Sequence, residues 1–350
     1  MTDVFDHPWL AGLFADPGTA ALWSPDAQLA GMRAFEAAFS RALGRAGLAP
    51  HAEAAARAIE GMDFDMDDLR AGTGQDGVVV PRLVRQMKAA AGDAAGAVHK
   101  GATSQDVIDT ATALAMRDTL DLVDARLTGL TDALEELAGR FGARPLMGRT
   151  RMQAATEITV ADRIAPWLLP LVDHRARIAA ARPRIARLQL GGASGDRGEL
   201  GGKAAAVAAE MAAALGLENP PRAWHAMRDG VAEFAGLMSL VTGTLGKMGQ
   251  DVALMAQQGI AEIELSGGGT SSAMAHKQNP VVAELLVTLA RFNAVQVGAV
   301  HQALIHEQER SGAAWALEWM VLPPMAQTTG RALAAAIALA GQVRRIGSPE

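Results

Sequence analysis

The chain has 350 residues, half of them apolar, with a net charge of −6 and no cysteine. It is long enough to bury a large core in two or three domains. Its mild acidity speaks against nucleic acid as a partner, and the lack of cysteine excludes disulfides, thiolate metal sites and a cysteine nucleophile. Alanine is abundant, aromatics are few and tyrosine is absent. Such a composition favours helices over strands, so an all-α protein is expected, with small residues allowing close helix packing. The N-terminus has neither a basic nor an apolar signal segment, and no apolar run approaches membrane-spanning length. No membrane partner is therefore expected, and the cytoplasm is the default location.

Residues 24–47 read as one amphipathic helix. Ser24-Pro25 marks its start, and Leu29, Met32, Phe35, Phe39 and Leu43 recur at helical spacing. Helical stretches follow over 51–60 and 78–90, so residues 1–95 are read as a small N-terminal helical domain. Long periodic segments then cover 104–141, 158–188, 201–215, 231–254 and 281–309. Their length suits a long-helix bundle, placed at 96–335. Their continuous apolar character implies burial by neighbouring subunits as well as by this chain. Residues 332–343 read as a last helix, with a C-terminal tail at 336–350 whose final residues are loose.

Six segments carry more chemistry than a packed core needs. In His99-Lys-Gly-Ala-Thr-Ser-Gln-Asp-Val-Ile-Asp-Thr110, Thr103 and Asp106 fit a capping box. Thr103, Ser104 and the first amides then point out of a helix N-terminus, a ready anion site. From spacing alone an ordinary cap is the better reading. Gly148-Arg-Thr-Arg-Met-Gln-Ala-Ala-Thr156 offers Arg149 and Arg151, which suit either a solvated loop or a carboxylate clamp. Gln189-Leu-Gly-Gly-Ala-Ser-Gly195 is a polar turn for which a helix C-cap is the plain explanation. Trp224, His225 and Arg228 read as packing residues. Ser266-Gly-Gly-Gly-Thr-Ser-Ser-Ala-Met-Ala-His-Lys-Gln-Asn-Pro280 is a polar, glycine-rich loop, and its Asn279-Pro280 step reads as the cap and first residue of a long helix. A last segment, His306 to Trp319, contributes Arg310. No pair of histidines has metal-ligand spacing, and neither a P-loop nor a dinucleotide fingerprint is present, so no metal or cofactor is expected.

Ser271-Ser-Ala-Met-Ala-His-Lys-Gln-Asn-Pro280 resembles the signature of the fumarase/aspartase superfamily, with Ala275 where the signature has proline. The segments at 99–110 and 148–156 resemble its first and second conserved regions. The wording of the first is most similar to the 3-carboxy-cis,cis-muconate cycloisomerases. The second has Arg151 where lyases of the superfamily carry a histidine that helps proton transfer. Arginine stays protonated and cannot serve as a base, but it can hold a carboxylate. The resemblance runs from about residue 22 to about 323. It implies a fumarase/aspartase-like bundle with a truncated C-terminal part, assembled as a homotetramer whose active sites are shared between subunits.

By this resemblance Ser271 carries the proton, while Lys277 and Asn279 hold the dianionic aci-carboxylate intermediate, and His99 is a further catalytic candidate. Thr103, Ser104, Arg149, Thr150, Arg151, Gln153, Ser272, Met274, His276 and Arg310 are the expected substrate contacts. The implied substrate is a small tricarboxylate that closes on itself to a lactone, with no cofactor. An adenylosuccinate-type lyase is the nearest alternative, and a non-catalytic protein of the same fold is another. Because the sites are shared, His99, Arg151 and Ser271 need not converge within one chain.

Overall fold

The structure is a computed structural model that describes residues 3–270, 274 and 278–349. The chain opens with α1 (Ala11–Phe14) and α2 (Pro17–Leu22), then α3 (Pro25–Arg45), α4 (Ala52–Gly61), α5 (Met66–Asp76) and α6 (Val80–Ala91). Ser24 caps α3 as its sequence suggests, its Oγ accepting from Ala27 N at 3.1 Å. The acidic stretch after Met62 forms α5, whose start Asp65 caps through Asp67 N and Asp68 N. A short 3₁₀ turn over Gly92–Ala97 leads to the bundle.

The bundle is built from α7 (Ser104–Phe141), α8 (Val160–Ile185), α10 (Asp229–Met255), α11 (Val281–Gln302) and α12 (Gly312–Gly341), with the shorter α9 (Ala204–Leu215) between α8 and α10. In α7 the buried residues Met116, Leu120, Val123, Leu127, Leu130, Leu134 and Leu137 alternate spacings of four and three. That 3.5-residue repeat keeps one seam facing its neighbours along the whole helix. At 38 residues α7 is roughly 57 Å long, from a rise of about 1.5 Å per residue. Helices α10 and α11 approach closely because glycine lines the contact. A Cβ on Gly249 would stand 2.5 Å from the Ala283 carbonyl oxygen. Buried Asn293 of α11 donates to Thr329 Oγ1 of α12 at 2.9 Å, a polar contact that fixes the register of the two helices.

The five long helices run alternately up and down, so the connections gather at two ends. The first end holds residues 99–106, 189–197, 224–228 and 303–311. The second holds the hairpin of β1 (Pro145–Thr150) and β2 (Gln153–Thr159), the pair β4 (Gly269–Thr270) and β5 (Gln278–Asn279), and β3 (Ile263–Leu265) paired with β6 (Val343–Ile346). These short antiparallel pairs are the only strands among the described residues, so the all-α class stands.

Four expectations need correction. Helix α11 ends at Gln302, not near 309, because the following segment is drawn off into contacts of Arg310 described below. Helix α12 starts at Gly312 and runs through Pro323 and Pro324, far longer than the 332–343 segment read from sequence. The last residues are not loose, since Ile346 is fully buried and Gly347 N donates to Glu262 O at 2.9 Å. Finally, α11 is long and apolar enough to cross a membrane, with a mean hydropathy of 1.4. Its Leu286, Leu289, Asn293 and Val300 are buried in the bundle, while Val295 is 73% exposed. Leu169 and Val172 of α8, Leu240 of α10 and Met320 of α12 are exposed as well.

One buried ion pair ties the N-terminal segment to the bundle. Arg126 of α7 donates to both carboxylate oxygens of Asp16, at 2.7 and 3.0 Å, and to Gly330 O of α12 at 2.7 Å. Burial raises the Asp16 pKa, but hydrogen bonds from Arg126 and Thr19 outweigh it and leave the carboxyl below its ordinary value. A depressed carboxyl contributes stability above its unfolded pKa and loses it as pH falls through the folded one. Asp16→Asn should therefore lower unfolding free energy at pH 7 by about 1.5–3 kcal/mol. Urea titrations should show that gap narrowing as pH falls below about 4, and a gap independent of pH would contradict the assignment.

Candidate active site

The first end is organised by three buried acids. Asp106, in the first turn of α7, forms the expected capping box, accepting from Thr103 N at 3.0 Å. The same carboxylate also accepts from Gly191 N at 2.7 Å and Gly192 N at 2.9 Å, and pairs with His225 Nε2 at 2.8 Å. The turn at 189–195 is thus more than a helix cap: its amides are aimed at α7. Only glycine fits there, since a Cβ on Gly191 would lie 2.5 Å from that of Ala223, and Gly192 has a φ of +71°.

One helical turn along α7, Asp109 accepts from Gln189 Nε2, Trp315 Nε1 and Arg228. Arg228 bridges Asp109 to Glu318 of α12, its Nε lying 2.8 Å from Glu318 Oε1 and its Nη1 2.6 Å from Asp109 Oδ2. All three side chains are nearly inaccessible. Burial pulls the Arg228 pKa down, but the two carboxylates outweigh it and hold the guanidinium charged. Trp224, His225 and Arg228 are thus held in a buried network that ties the glycine turn, α7 and α12 together.

This scaffold presents the candidate site groups of the first end. Thr103 and Ser104 lie half-buried at the mouth of α7. Gln105, fully buried behind them, donates to His225 O and accepts from Arg310 Nε at 2.9 Å. Arg310 Nη2 donates to Ala193 O at 3.1 Å, so the guanidinium spans the α7 start and the glycine turn. An open cleft of about 550 Å³ lies here, lined by Ala193, Ser194, Arg310 and Gly312 and also by Glu307, Gln308 and Glu309. His99 stands just before this helix start with a left-handed backbone, φ +58°, and its Nδ1 lies 2.5 Å from Glu36 Oε1 of α3.

The second end holds the other candidates. Thr150 and Gln153 close the β1–β2 hairpin, with Arg151 and Met152 as its two-residue turn, both at positive φ. Positive φ at both central residues is the geometry of a type I′ turn, normally given to Asn or Gly. The turn lifts Arg151 into solvent, and among the described residues no ion-pair partner is seen for it. Arg149, two residues earlier, pairs instead with buried Glu262. Pairing of Gly269–Thr270 with Gln278–Asn279 brings together the two stems of the signature loop. That pairing takes Asn279 into a strand, so Pro280 rather than Asn279 occupies the cap position of α11. Met274 is exposed. Ser271, Ser272, His276 and Lys277 lie outside the described residues.

Within one chain the candidates thus fall into two groups at opposite ends of the bundle. His99, Thr103, Ser104 and Arg310 gather at one end, and Thr150, Arg151, Gln153 and Asn279 at the other. Of the buried acids that sequence reading did not single out, Glu36 carried a signal: it interrupts the apolar face formed by Met32, Phe35, Phe39 and Leu43.

A family model described as lyase matches residues 19–295. The 3-carboxy-cis,cis-muconate cycloisomerase of Pseudomonas aeruginosa is 38% identical over 97% of this chain and 76% of its own length. The N-acetyl-S-(2-succino)cysteine lyase of Enterococcus italicus is 32% identical over 92% of this chain and 72% of its own. The crystal structure of the 3-carboxy-cis,cis-muconate lactonizing enzyme from Pseudomonas putida superposes with a TM-score of 0.90, at 36% identity, over 96% of this chain and 77% of that one.

Removing the shared cation of the first end should expose how much depends on it. Arg228→Met would leave Asp109 and Glu318 buried with no counter-charge, a loss of about 3–5 kcal/mol. Urea unfolding should show that loss, and a variant as stable as the wild type would remove Arg228 from the centre of the scaffold.

Proposed function

Because the chain belongs to the lyase family of the fumarase/aspartase superfamily, we propose that it catalyses the lactonisation of 3-carboxy-cis,cis-muconate to 4-carboxymuconolactone. The observation that carries this reading over a lyase is Arg151. It stands at the hairpin tip, in the position where superfamily lyases have a proton-transferring histidine. An arginine there can clamp a carboxylate but cannot shuttle a proton. Lactonisation expels no leaving group, so it has no use for an acid at that place.

In this reading the substrate's distal carboxylate attacks the alkene carbon that bears the third carboxyl group. A C–O bond forms as the C=C π bond opens, and the electron pair moves into the neighbouring carboxylate as its aci form. Lys277 and Asn279 stabilise that dianion. Ser271 then delivers a proton to the carbon next to it, which completes the lactone. A free serine hydroxyl is a weak acid, so the loop amides, Lys277 and exclusion of water must lower its pKa. The nucleophile is tethered to its target, and proximity supplies much of the rate. Thr103, Ser104, Arg151 and Arg310 are the carboxylate contacts, with Thr150, Gln153, Ser272, Met274 and His276 around them. Arg149 serves the site through Glu262.

The working form in this reading is a cytoplasmic homotetramer. Residues 1–95 form the small domain that flanks the first end. The exposed apolar residues of α8, α10, α11 and α12 are covered by other subunits. Each site joins the first end of one subunit to the second ends of others, which is what separated candidate groups require.

The assay is direct. Loss of the conjugated-diene absorbance of 3-carboxy-cis,cis-muconate, with the lactone identified by NMR, is expected from the purified, EDTA-treated protein. No loss from a well-folded tetramer would return the function to the lyases or to a non-catalytic role. Ser271→Ala should lower kcat by about 10²–10⁴-fold with an unchanged melting temperature. Arg151→Ala should act chiefly on KM, by about 10-fold or more. A rise in activity on Arg151→His would contradict the clamp.

A further inference from the structure

Glu36 is a carboxylate in the wrong place for stability. It lies on the core face of α3, with no exposed surface, one turn from Met32 and beside Phe35 and Phe39. Among the described residues its Oε2 has no hydrogen-bond partner, and its Oε1 has one, His99 Nδ1 at 2.5 Å. A buried carboxylate bonded through one oxygen is unfavourable beside an apolar residue of the same shape. His99 adds a second unfavourable feature, a left-handed backbone that costs about 1–3 kcal/mol in a residue other than glycine. Both converge on one imidazole, and that imidazole stands at the end of the bundle where Thr103, Ser104 and Arg310 gather.

The geometry decides which ring nitrogen is left to work. With Nδ1 on Glu36, Nε2 is the remaining polar atom of the ring. It makes no hydrogen bond among the described residues and is not among their buried, unpartnered atoms. The side chain keeps 16% exposure. Nε2 is therefore the edge open to a ligand. A carboxylate behind Nδ1 holds the proton there and fixes the ring plane, so Nε2 meets the substrate in one orientation.

We propose that Glu36 is a positioning residue for the reaction: it touches no substrate, and it acts by holding His99 with Nε2 presented at the α7 end of the site. The inference rests on the reading of that end as part of the active site. It adds a group from α3, in the N-terminal segment, to a site otherwise assembled from the bundle and its connections.

The test uses the full-length protein and three variants, Glu36→Gln, His99→Gln and the double variant, assayed for lactonisation across pH. His99→Gln should lower kcat/KM by about 100-fold or more. Glu36→Gln keeps the volume and should lower kcat by about 10- to 100-fold, with KM and melting temperature little changed and the pH–rate profile displaced. The double variant should be no worse than His99→Gln alone, because the carboxylate acts through the ring. Glu36→Asp, which restores the charge, should recover part of the loss. An impaired His99→Gln beside a fully active Glu36→Gln would overturn the proposal, as would losses that multiply in the double variant. A fully active His99→Gln would instead sink the reading of this end as catalytic, and the proposal with it. Should Glu36→Gln fail to fold, nitrogen NMR of the imidazoles in the wild-type protein decides. A proton on His99 Nδ1 directed at Glu36 is expected, and an Nδ1 without one would overturn the assignment.

Discussion

The buried pairing of Arg228 with Asp109 and Glu318 is the constraint on which the first end of the molecule depends. Three charges held out of water are costly to assemble and more costly to break. They are tolerated because each fixes a different segment: Asp109 belongs to α7, Arg228 to the entry of α10, and Glu318 to α12. Asp109 also takes Gln189 and Trp315, and Asp106, one turn earlier, takes the amides of the glycine turn and His225. Connections with no regular structure of their own are thereby held to one place. The partly exposed groups in front, Thr103, Ser104, Arg310 and His99, inherit their positions from that buried layer. Preorganisation of this kind lets polar groups act on a charged substrate without rearranging.

The bundle imposes the second constraint. A helix of 38 residues cannot bring its two ends to one point. The groups gathered at the start of α7 and those of the hairpin and loop stems beyond its end are therefore kept apart within a chain, however well each end is built. The hairpin tip with Arg151 and the stems of the signature loop share the far end with the strand that closes the chain. A site using both ends must be assembled from more than one copy. Leucine, valine and methionine side chains stand exposed on four bundle helices, where the proposed assembly would cover them.

Much of this was legible in the sequence because helices declare themselves locally. Ser24-Pro25 gave the start of α3, and both boundaries of α7 fell where its caps and periodicity put them. The signature loop and Arg151 were visible as chemistry that no core requires. What was hidden depends on tertiary partners. Helix α12 runs through Pro323 and Pro324, which local rules treat as a break, because the bundle holds it on both sides of them. The end of α11 is set by where Arg310 must reach, not by a stop signal nearby. The ordering of the final residues rests on β3, some eighty positions upstream. Glu36 was the informative omission: a lone acid on an apolar helical face is easily passed over as noise, and its meaning appears only once His99 is seen against it.

The most direct test of the account is whether one chain can supply a whole site. His99→Gln disables the first end and Lys277→Met the loop at the second. The two inactive proteins are mixed, unfolded and refolded together, then assayed for lactonisation. If each site draws on different subunits, half of the chains supply each intact residue, and up to about a quarter of the wild-type activity should return. No recovery from a mixture that refolds to the native assembly would mean that a single chain furnishes both groups, contradicting the division of the site between the two ends.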